Sequence, residues 1–317
     1  MKILVTGIAG YLGQVLYYLL KENGHEITGL DNFLYKQDVS DFNIIQGDIT
    51  SYIDMYNATK GVDAVVALAA IVGDEACGLD SKATESINYG STRILIDVCK
   101  QNKVKKIIYA STCSVYGTLG SVRRRRLLEG NFVNPLTLYA KTKYQSEKLL
   151  LNAIRKDKLD IVILRFGTLY GYAPRMRFDL VVNIMAATAF CEDKIHVFGG
   201  NQWRPLVHVK DAAKTILTAI GKKNTYNIYN VAEDNYTIKQ ISDIICGEIG
   251  AEVIVYEEKG DIRDYRVSMT KFKGLCYPTQ NIKLGVDEIW KKFEDKTIVN
   301  YKDDKYYNVK ILQQLQI

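Results

Sequence analysis

Short apolar runs alternate along the chain with longer segments that have helical periodicity. Runs such as Lys2–Thr6 and Ala64–Leu68 are almost wholly apolar, which is typical of strands buried on both faces of a parallel sheet. Segments such as Tyr11–Asn23 and Leu138–Lys156 have the apolar spacing of amphipathic helices. The repeated order of strand and helix predicts an α/β fold in which helices cover both faces of a doubly wound parallel sheet.

The predicted strands and helices divide the chain into two parts. The strands are Lys2–Thr6, Glu26–Leu30, Asn43–Gln46, Ala64–Leu68, Lys105–Tyr109, Asp160–Arg165 and Tyr226–Tyr229, and the long helices are Tyr11–Asn23, Ser81–Gln101 and Leu138–Lys156. After Gly171 the elements become shorter and the loops longer. We therefore expect residues 1–171 and 206–231 to form the sheet domain, and residues 172–205 and 232–317 to form a smaller lobe over its carboxyl edge.

The composition is that of an ordinary soluble globular protein. The 317 residues are 47% hydrophobic and 25% charged. The net charge is +6, from 42 basic and 36 acidic residues, but four of the positive charges lie together at Arg123 to Arg126. The charge therefore does not indicate a nucleic-acid-binding protein. We expect the arginine run to be a solvated loop; the alternative is that it attracts an anionic substrate or a partner.

Cysteine and histidine positions indicate neither a disulfide framework nor a metal site. The six Cys form no C-x-x-C pair, and the three His are scattered. We expect reduced thiols in a cytoplasmic protein and no bound metal. The longest apolar runs, such as Ala64–Val72, are too short to span a bilayer, so a membrane-embedded role is not expected.

The first strand runs directly into a glycine-rich turn. Three glycines here suit a tight turn, close approach of the backbone to a pyrophosphate, and packing of the next helix on the strand. The helix N-terminus adds free N–H groups and a partial positive charge. This context favours a dinucleotide site over plain turn glycines. Its predicted residues are Gly7, Ile8, Ala9, Gly10, Tyr11, Leu12 and Gly13.

Acidic residues after the second and third strands fit the adenosine end of a dinucleotide. Asp31 can accept hydrogen bonds from the ribose, and Asn32 follows it where an NADP enzyme often has Arg, so NAD is favoured over NADP. Asp48 and Ile49 are predicted to contact the adenine ring. The alternatives are that Asp31 only opens a turn and that Asp48 only caps a helix.

A phenol and an ammonium group lie four residues apart at Tyr139 and Lys143, and so on one face of a helix. A free tyrosine has a pKa of about 10, too high for a base at neutral pH. A nearby ammonium and a cationic nicotinamide both favour the phenolate, which could take a proton from a hydroxyl. Ser111 and Thr112 follow the fifth strand, at the carboxyl edge where such folds hold ligands.

With these motifs in this order, the sequence resembles the extended short-chain dehydrogenases, the group of nucleotide-sugar epimerases, dehydratases and dehydrogenases. The resemblance covers nearly the whole chain. It includes the glycine motif, Leu68-Ala69-Ala70, Tyr139 with Lys143, Tyr170-Gly171 and His208-Val209-Lys210-Asp211. It implies a Rossmann-like sheet with NAD as the cofactor, and a smaller lobe that binds the nucleotide-sugar.

The resemblance also implies roles for individual residues. Thr112 would orient the substrate hydroxyl, Tyr139 would act as the base, and Lys143 would hold the nicotinamide ribose. Further cofactor contacts are implied for Leu68, Ala69, Ala70, Asn88 and Ser111, and substrate contacts for Thr168, Arg204 and Arg263. His208 is expected to be structural.

Two departures from the family pattern narrow the reaction. Cys113 and Ser114 stand where the 4,6-dehydratases carry Asp-Glu, so elimination of water is not expected. Thr168 replaces the usual Asn before the Tyr-Gly pair. The stretch from Pro174 to Asn183 resembles a subgroup that contains a nucleotide-diphosphate-heptose 4-dehydrogenase, which implies further substrate contacts at Arg175, Arg177 and Asn183. The alternative for the two arginines is that they are solvated at the surface.

The favoured function at this point is an NAD-dependent nucleotide-sugar 4-epimerase. The same residues would also serve a 4-dehydrogenase that releases the ketone. A different class, an NAD-binding sensor or scaffold without catalysis, is disfavoured because the Tyr139 and Lys143 pair is kept. By resemblance we expect a homodimer that pairs through the helices Ser81–Gln101 and Leu138–Lys156.

Overall fold

The computed structural model of the protein describes residues 1–35, 39–118, 125–223, 226–257 and 261–315. The strands in these ranges are β1 (Lys2–Thr6), β2 (Glu26–Asp31), β3 (Ile44–Gln46), β4 (Ala64–Ala67), β5 (Lys106–Thr112), β6 (Ile161–Phe166), β7 (Thr168–Tyr170), β8 (Lys194–Phe198), β9 (Trp203–His208), β10 (Ile228–Val231), β11 (Asp234–Thr237) and β12 (Glu252–Tyr256). The helices are α1 (Tyr11–Glu22), α2 (Tyr52–Ala58), α3 (Asp74–Leu79), α4 (Ser81–Glu85), α5 (Ser91–Gln101), α6 (Leu138–Asp157), α7 (Val181–Glu192), α8 (Val209–Gly221), α9 (Ile238–Ile249), α10 (Thr270–Leu275), α11 (Ile282–Glu294) and α12 (Asn308–Gln314).

A parallel sheet forms the centre of the molecule. Over the described residues it has seven strands in the order β10-β6-β5-β4-β1-β2-β3, and every neighbouring pair is parallel. The order reverses beside β1, which pairs with β2 on one side and β4 on the other. This is the Rossmann topology, and it confirms the predicted doubly wound α/β fold. The carboxyl ends of β1, β2, β4 and β5 therefore meet at one edge, the place where such sheets bind ligands.

Alternate residues of the central strands face two different hydrophobic cores. Leu4 and Val65 pack with residues of α2, α5 and α6 on one face of the sheet. Ile3 and Val5 pack with residues of α1 and α8 on the other face. The continuous apolar runs in the sequence have this cause, because both sides of each central strand are buried.

The later part of the chain forms two smaller sheets and further helices. In the described residues, strands β11, β9 and β7 make one small sheet, and β12 and β8 make another. Residues of α7, α9 and α11 belong to the same hydrophobic core as one face of the large sheet. The smaller sheets are thus packed firmly on the Rossmann part, at the side where its carboxyl edge lies.

The segment Ser81–Gln101 differs from the single long helix that the sequence predicts. It consists of α4, a π-helical turn at 86–90 and α5. The Asn88 side chain in this turn bonds to the backbone of Ile71, a contact that draws the helix toward the loop after β4. Such π turns often occur at functional positions.

Three other expectations concern the surface of the molecule. None of the helices in the described residues has the length and hydrophobicity that a membrane span requires. Part of the arginine run lies outside the described residues; Arg126 lies 3.6 Å from Asp234 in an exposed ion pair. Leu95 and Leu150 are buried in the core, so only neighbours such as Leu149 remain for a dimer contact. The homodimer and the cytoplasmic location stay predictions.

The close packing of α1 on β1 gives a stability test. A Cβ on Gly13 would lie 2.4 Å from the Gly7 carbonyl oxygen and 2.5 Å from that of Ile8. Both are backbone atoms that cannot easily move, so Gly13→Ala is expected to lower the free energy of unfolding by about 2 kcal/mol. Gly247→Ala, in α9 with open space around it, is the control and should be neutral or slightly stabilising. Equal urea midpoints for the two variants would refute this packing.

Candidate active site

A cavity of about 1030 Å³ lies at the carboxyl edge of the sheet. Its wall contains residues that follow β1, β2, β4 and β5, together with residues of the smaller sheets and of α12. Ligand sites usually measure about 300 to 1,000 Å³, so this cavity has the size of a large ligand site.

The glycine-rich turn forms one end of the cavity. Gly7 has φ +72, and a Cβ there would lie 2.7 Å from the Ala69 backbone nitrogen, so this position admits only glycine without rearrangement. Gly10 caps α1 without a side-chain hydrogen bond. The N–H groups of the first turn of α1 are therefore free of helical partners and face a narrow cradle that suits a pyrophosphate.

Asp31 connects this turn to the second strand. Its Oδ2 accepts a hydrogen bond from the Ala9 N–H at 3.0 Å, and its Oδ1 accepts one from the Phe33 N–H at 2.9 Å. Burial raises the pKa of this carboxyl above its usual value. Asp31 and Asn32 both line the cavity. The carboxylate thus does open a turn, and its contact with a ribose stays a prediction.

Asp48 has the role of a turn cap in the structure. Its Oδ1 accepts hydrogen bonds from the Thr50 N–H and from the Thr50 hydroxyl, both at 2.7 Å. Asp48 and Ile49 also line the cavity, and so do Leu68, Ala69 and Ala70. A contact of Asp48 and Ile49 with an adenine ring stays a prediction, as does cofactor contact of the other three residues.

Three residues that were predicted to contact a ligand lie outside the cavity wall, and their side chains pack or form hydrogen bonds within the fold. Asn88 donates to and accepts from the backbone of Ile71, both at 2.8 Å, so its amide is occupied in holding the loop after β4. Ile8 is buried, with its side chain against Gly29. Asn183 accepts from the Gly171 N–H at 2.9 Å, donates to the Arg177 carbonyl at 2.9 Å, and is fully buried. Direct ligand contacts of these three side chains, expected from the sequence, do not fit their placement.

The three predicted catalytic residues come together. Thr112 ends β5, and the Thr137 hydroxyl caps the N-terminus of α6, which presents Tyr139 and Lys143. Tyr139 and Thr112 both line the cavity, and the Thr112 hydroxyl is near enough to the phenol to lower its pKa. The Lys143 ammonium group donates to the Ala110 carbonyl at 2.9 Å. The three side chains thus reach the wall of one cavity, and their catalytic roles stay predictions.

The electrostatics of Tyr139 differ from the sequence-based expectation. Burial raises the pKa of its phenol, while Arg177 and the hydrogen bond from Thr112 act in the opposite direction. Lys143 lies over the Tyr109 ring at 4.9 Å, not against the phenol. Without a cationic ligand beside it, desolvation outweighs the neighbours that favour the phenolate.

A buried ion pair lies directly behind these residues. Glu147, one turn after Lys143, accepts from Arg165 at 2.9 and 2.7 Å and from the Ser111 hydroxyl at 2.5 Å. Arg165 also donates to the Tyr116 hydroxyl at 2.8 Å. This network ties α6 to the ends of β5 and β6, so it fixes the distance between Thr112 and Tyr139.

Four arginines line the cavity in the described part of the chain: Arg175, Arg177, Arg204 and Arg263. Arg177 forms a bidentate pair with Asp179 at 2.9 and 2.8 Å. Arg204 and Arg263 both bind Asp261, which lies 2.9 Å from each, and together they lower its carboxyl pKa to about 2 despite its burial. Arg175 has no carboxylate partner among the described residues.

Sequence reasoning missed several residues of the cavity wall. Asp74 lies 3.1 Å from the Arg263 guanidinium, which also donates to the Ser114 hydroxyl at 3.0 Å. The His196 and Phe198 side chains of β8 line the opposite region. Asn308 and Val309 bring α12 to the cavity. The sequence carries no local signal for them, because distant segments meet only in the fold. Thr168, by contrast, lines the cavity as expected.

The described residues contain no cluster of His, Cys, Asp and Glu that could hold a metal ion.

Comparison with known proteins gives the family. Residues 3–232 match the NAD dependent epimerase/dehydratase family. The chain belongs to this family. Its membership confirms the resemblance to the extended short-chain dehydrogenases and the prediction that the cofactor is NAD.

Named relatives of this family member differ in their reactions. The chain is 31% identical to the uncharacterized UDP-glucose epimerase YtcB of Bacillus subtilis over 238 residues, which cover 70% of this chain and 73% of that one. It is 29% identical to the UDP-glucuronate 4-epimerase of Thermodesulfobacterium geofontis, covering 86% and 89% of the two chains. It is also 27% identical to the dTDP-D-glucose 4,6-dehydratase of Dictyostelium discoideum, covering 74% and 58%.

Solved structures of the family superpose well on the chain. The UDP-glucose 4-epimerase of Thermotoga maritima, solved with UDP-glucose, aligns with a TM-score of 0.82 and 25% identity over 94% of this chain and all of that one (100%). The UDP-glucose 4-epimerase of Thermus thermophilus, solved with NAD, has a TM-score of 0.80 and 23% identity over 91% and 99%. Because the relatives catalyse different reactions, the reaction of this chain depends on its own cavity residues.

The Glu147–Arg165 pair should contribute strongly to stability. Glu147→Gln leaves the buried Arg165 without a countercharge, so the free energy of unfolding is expected to fall by about 3 kcal/mol. Asp243→Asn, which breaks an exposed pair with Lys239, is the matched control and should cost less than about 0.5 kcal/mol. Urea denaturation measures both. A loss for Glu147→Gln as small as that of the control would contradict this role.

Proposed function

We propose that the protein is an NAD-dependent nucleotide-sugar 4-epimerase. The observation that carries the proposal is that Thr112, Tyr139 and Lys143 line the same cavity as the glycine turn and the wall arginines. Relatives named as 4-epimerases support it. The glycine turn, the free first turn of α1 and Asp31 would hold the cofactor.

NAD, when bound, supplies a reversible acceptor for the hydrogen on the sugar carbon. Tyr139 takes the proton from the C4 hydroxyl and later returns it, and Thr112 donates a hydrogen bond that orients the same oxygen. The Lys143 ammonium group, which donates to the Ala110 carbonyl at 2.9 Å, would hold a ribose hydroxyl of the cofactor. Arg204 and Arg263 face the substrate diphosphate, since a planar guanidinium matches phosphate oxygens.

The residues after Thr112 argue against dehydration. The Cys113 thiol is fully buried, donates to the Arg165 carbonyl at 3.1 Å, and has a pKa raised by burial. The Ser114 hydroxyl accepts from Arg263 at 3.0 Å. Neither side chain can serve as the acid or base that removes water. The Tyr139 and Thr112 arrangement likewise supports an enzyme over a non-catalytic sensor.

Incubation of the NAD-loaded protein with a panel of nucleotide-sugars tests the proposal. We expect inversion at C4 with no net change in the absorbance of NADH at equilibrium. Accumulation of a ketone together with NADH would instead establish a 4-dehydrogenase. If no nucleotide-sugar is turned over while NAD is bound, the 4-epimerase and the 4-dehydrogenase are both refuted, and a non-catalytic sensor or scaffold is favoured.

Removal of the phenol should abolish turnover without affecting the cofactor. Tyr139→Phe is expected to lower kcat by roughly 10²- to 10⁴-fold, because the phenylalanine ring has no group that can take the proton. Tyr144→Phe, on the same helix but outside the cavity wall, is the matched control and should keep nearly full activity.

Since burial raises the phenol pKa and the base works ionised, the wild-type rate should rise with pH above neutrality. A rate that falls over that range would count against Tyr139 as the base.

A further inference from the structure

Arg175 is the guanidinium of the cavity wall that carries a positive charge without a countercharge from the described residues. Arg177 pairs with Asp179, and Arg204 and Arg263 pair with Asp261 and Asp74. Arg175 instead donates to the neutral amide oxygen of Asn308 at 2.5 Å. A buried cation is costly unless an anion pairs with it. Arg175 is therefore suited to pair with a bound anion.

The surroundings of Arg175 hold its guanidinium in one plane. The side chain is only 3% exposed, and its guanidinium lies over the Tyr35 ring at 4.7 Å. Its Nε has no hydrogen-bond partner. Burial and the nearby Arg177 lower the pKa of the guanidinium to about 10. A fixed donor with an unused N–H beside a cavity is the arrangement that a bound anion requires.

The position of Arg175 is at the cofactor end of the cavity. Tyr35 follows closely after Asp31, and the Asp31 carboxylate is near enough to influence the Arg175 charge. Asn308 donates to the Val72 carbonyl at 3.3 Å, in the loop that follows β4. Arg204 and Arg263, in contrast, lie at the other end, with Asp261 and Ser114.

We propose that Arg175 binds the pyrophosphate of NAD, held in place by Asn308 of α12 and by the Tyr35 ring. The sequence-based expectation was different: it predicted that Arg175 contacts the substrate. A pyrophosphate bound along the first turn of α1 would supply the countercharge for Arg175. Helix α12 then closes the cofactor site from the smaller lobe. The inference rests on NAD binding alone and is independent of the reaction at C4.

Calorimetric titration of the whole protein with NAD, ADP-ribose, adenosine and UDP tests this assignment. Arg175→Gln removes the charge, so the Kd for NAD and for ADP-ribose should rise by roughly tenfold to a hundredfold. The Kd for adenosine, which has no phosphate, and for UDP should change less than about twofold. Arg263→Gln is the matched control at the other end of the cavity and should weaken UDP but not NAD.

Three results would overturn the assignment. The first is an unchanged Kd for NAD in a folded Arg175→Gln protein, and the second is weaker UDP binding with intact NAD binding. The third is an equal loss for adenosine and ADP-ribose, which would mean that Arg175 acts through Asp31. If Arg175→Gln does not fold, Arg175→Lys decides: it keeps the charge but loses the stacked plane, and a Kd for NAD within twofold of the wild type contradicts the proposal. No sugar is present in these titrations, so a failure of the proposed epimerase reaction leaves them interpretable.

Discussion

The buried pair of Glu147 and Arg165 is the interaction on which the arrangement of the site depends. It joins the middle of α6 to the carboxyl ends of β5 and β6, and it also takes the Ser111 hydroxyl. Thr112 lies at the end of β5, and Tyr139 lies in the first turn of α6. The distance between them therefore does not rely on a flexible loop. A catalytic pair needs this rigidity, because small errors in position cost much of the rate.

Most of the arginines in the cavity wall form ion pairs with nearby carboxylates. The carboxylates of Asp179 and Asp261 pair with three of the four wall arginines, so these groups stay ordered before a ligand arrives. Arg175 is the exception among the described residues, and the proposed cofactor contact follows from that difference. The unpaired Arg175 lies at the end of the cavity beside the glycine turn. The paired Arg204 and Arg263 lie at the other end, beside Ser114.

The sequence predicted the Rossmann fold and the cofactor, and it singled out Thr112, Tyr139 and Lys143, which line one cavity, because each depends on local periodicity or on a motif within one strand–helix unit. Other predicted ligand residues have different partners in the fold, and the cause is physical. Asn88 and Asn183 are polar residues of the kind that binds ligands. Their side-chain amides instead form hydrogen bonds with the backbone of Ile71 and of Gly171. Only the packed fold shows which polar groups are already satisfied. The roles of Asp261 and α12 were invisible for the same reason, since they arise from segments far apart in the chain.

The central claim is that the C4 hydrogen of the sugar is held within one active site while the configuration inverts. A nucleotide-sugar carrying deuterium at C4, incubated in ordinary water with the NAD-loaded protein, tests it most directly by mass spectrometry of the product. The account predicts an inverted product that keeps its deuterium at C4. An inverted product that has lost the label to solvent would contradict it, because the hydrogen would then have left the site as a proton.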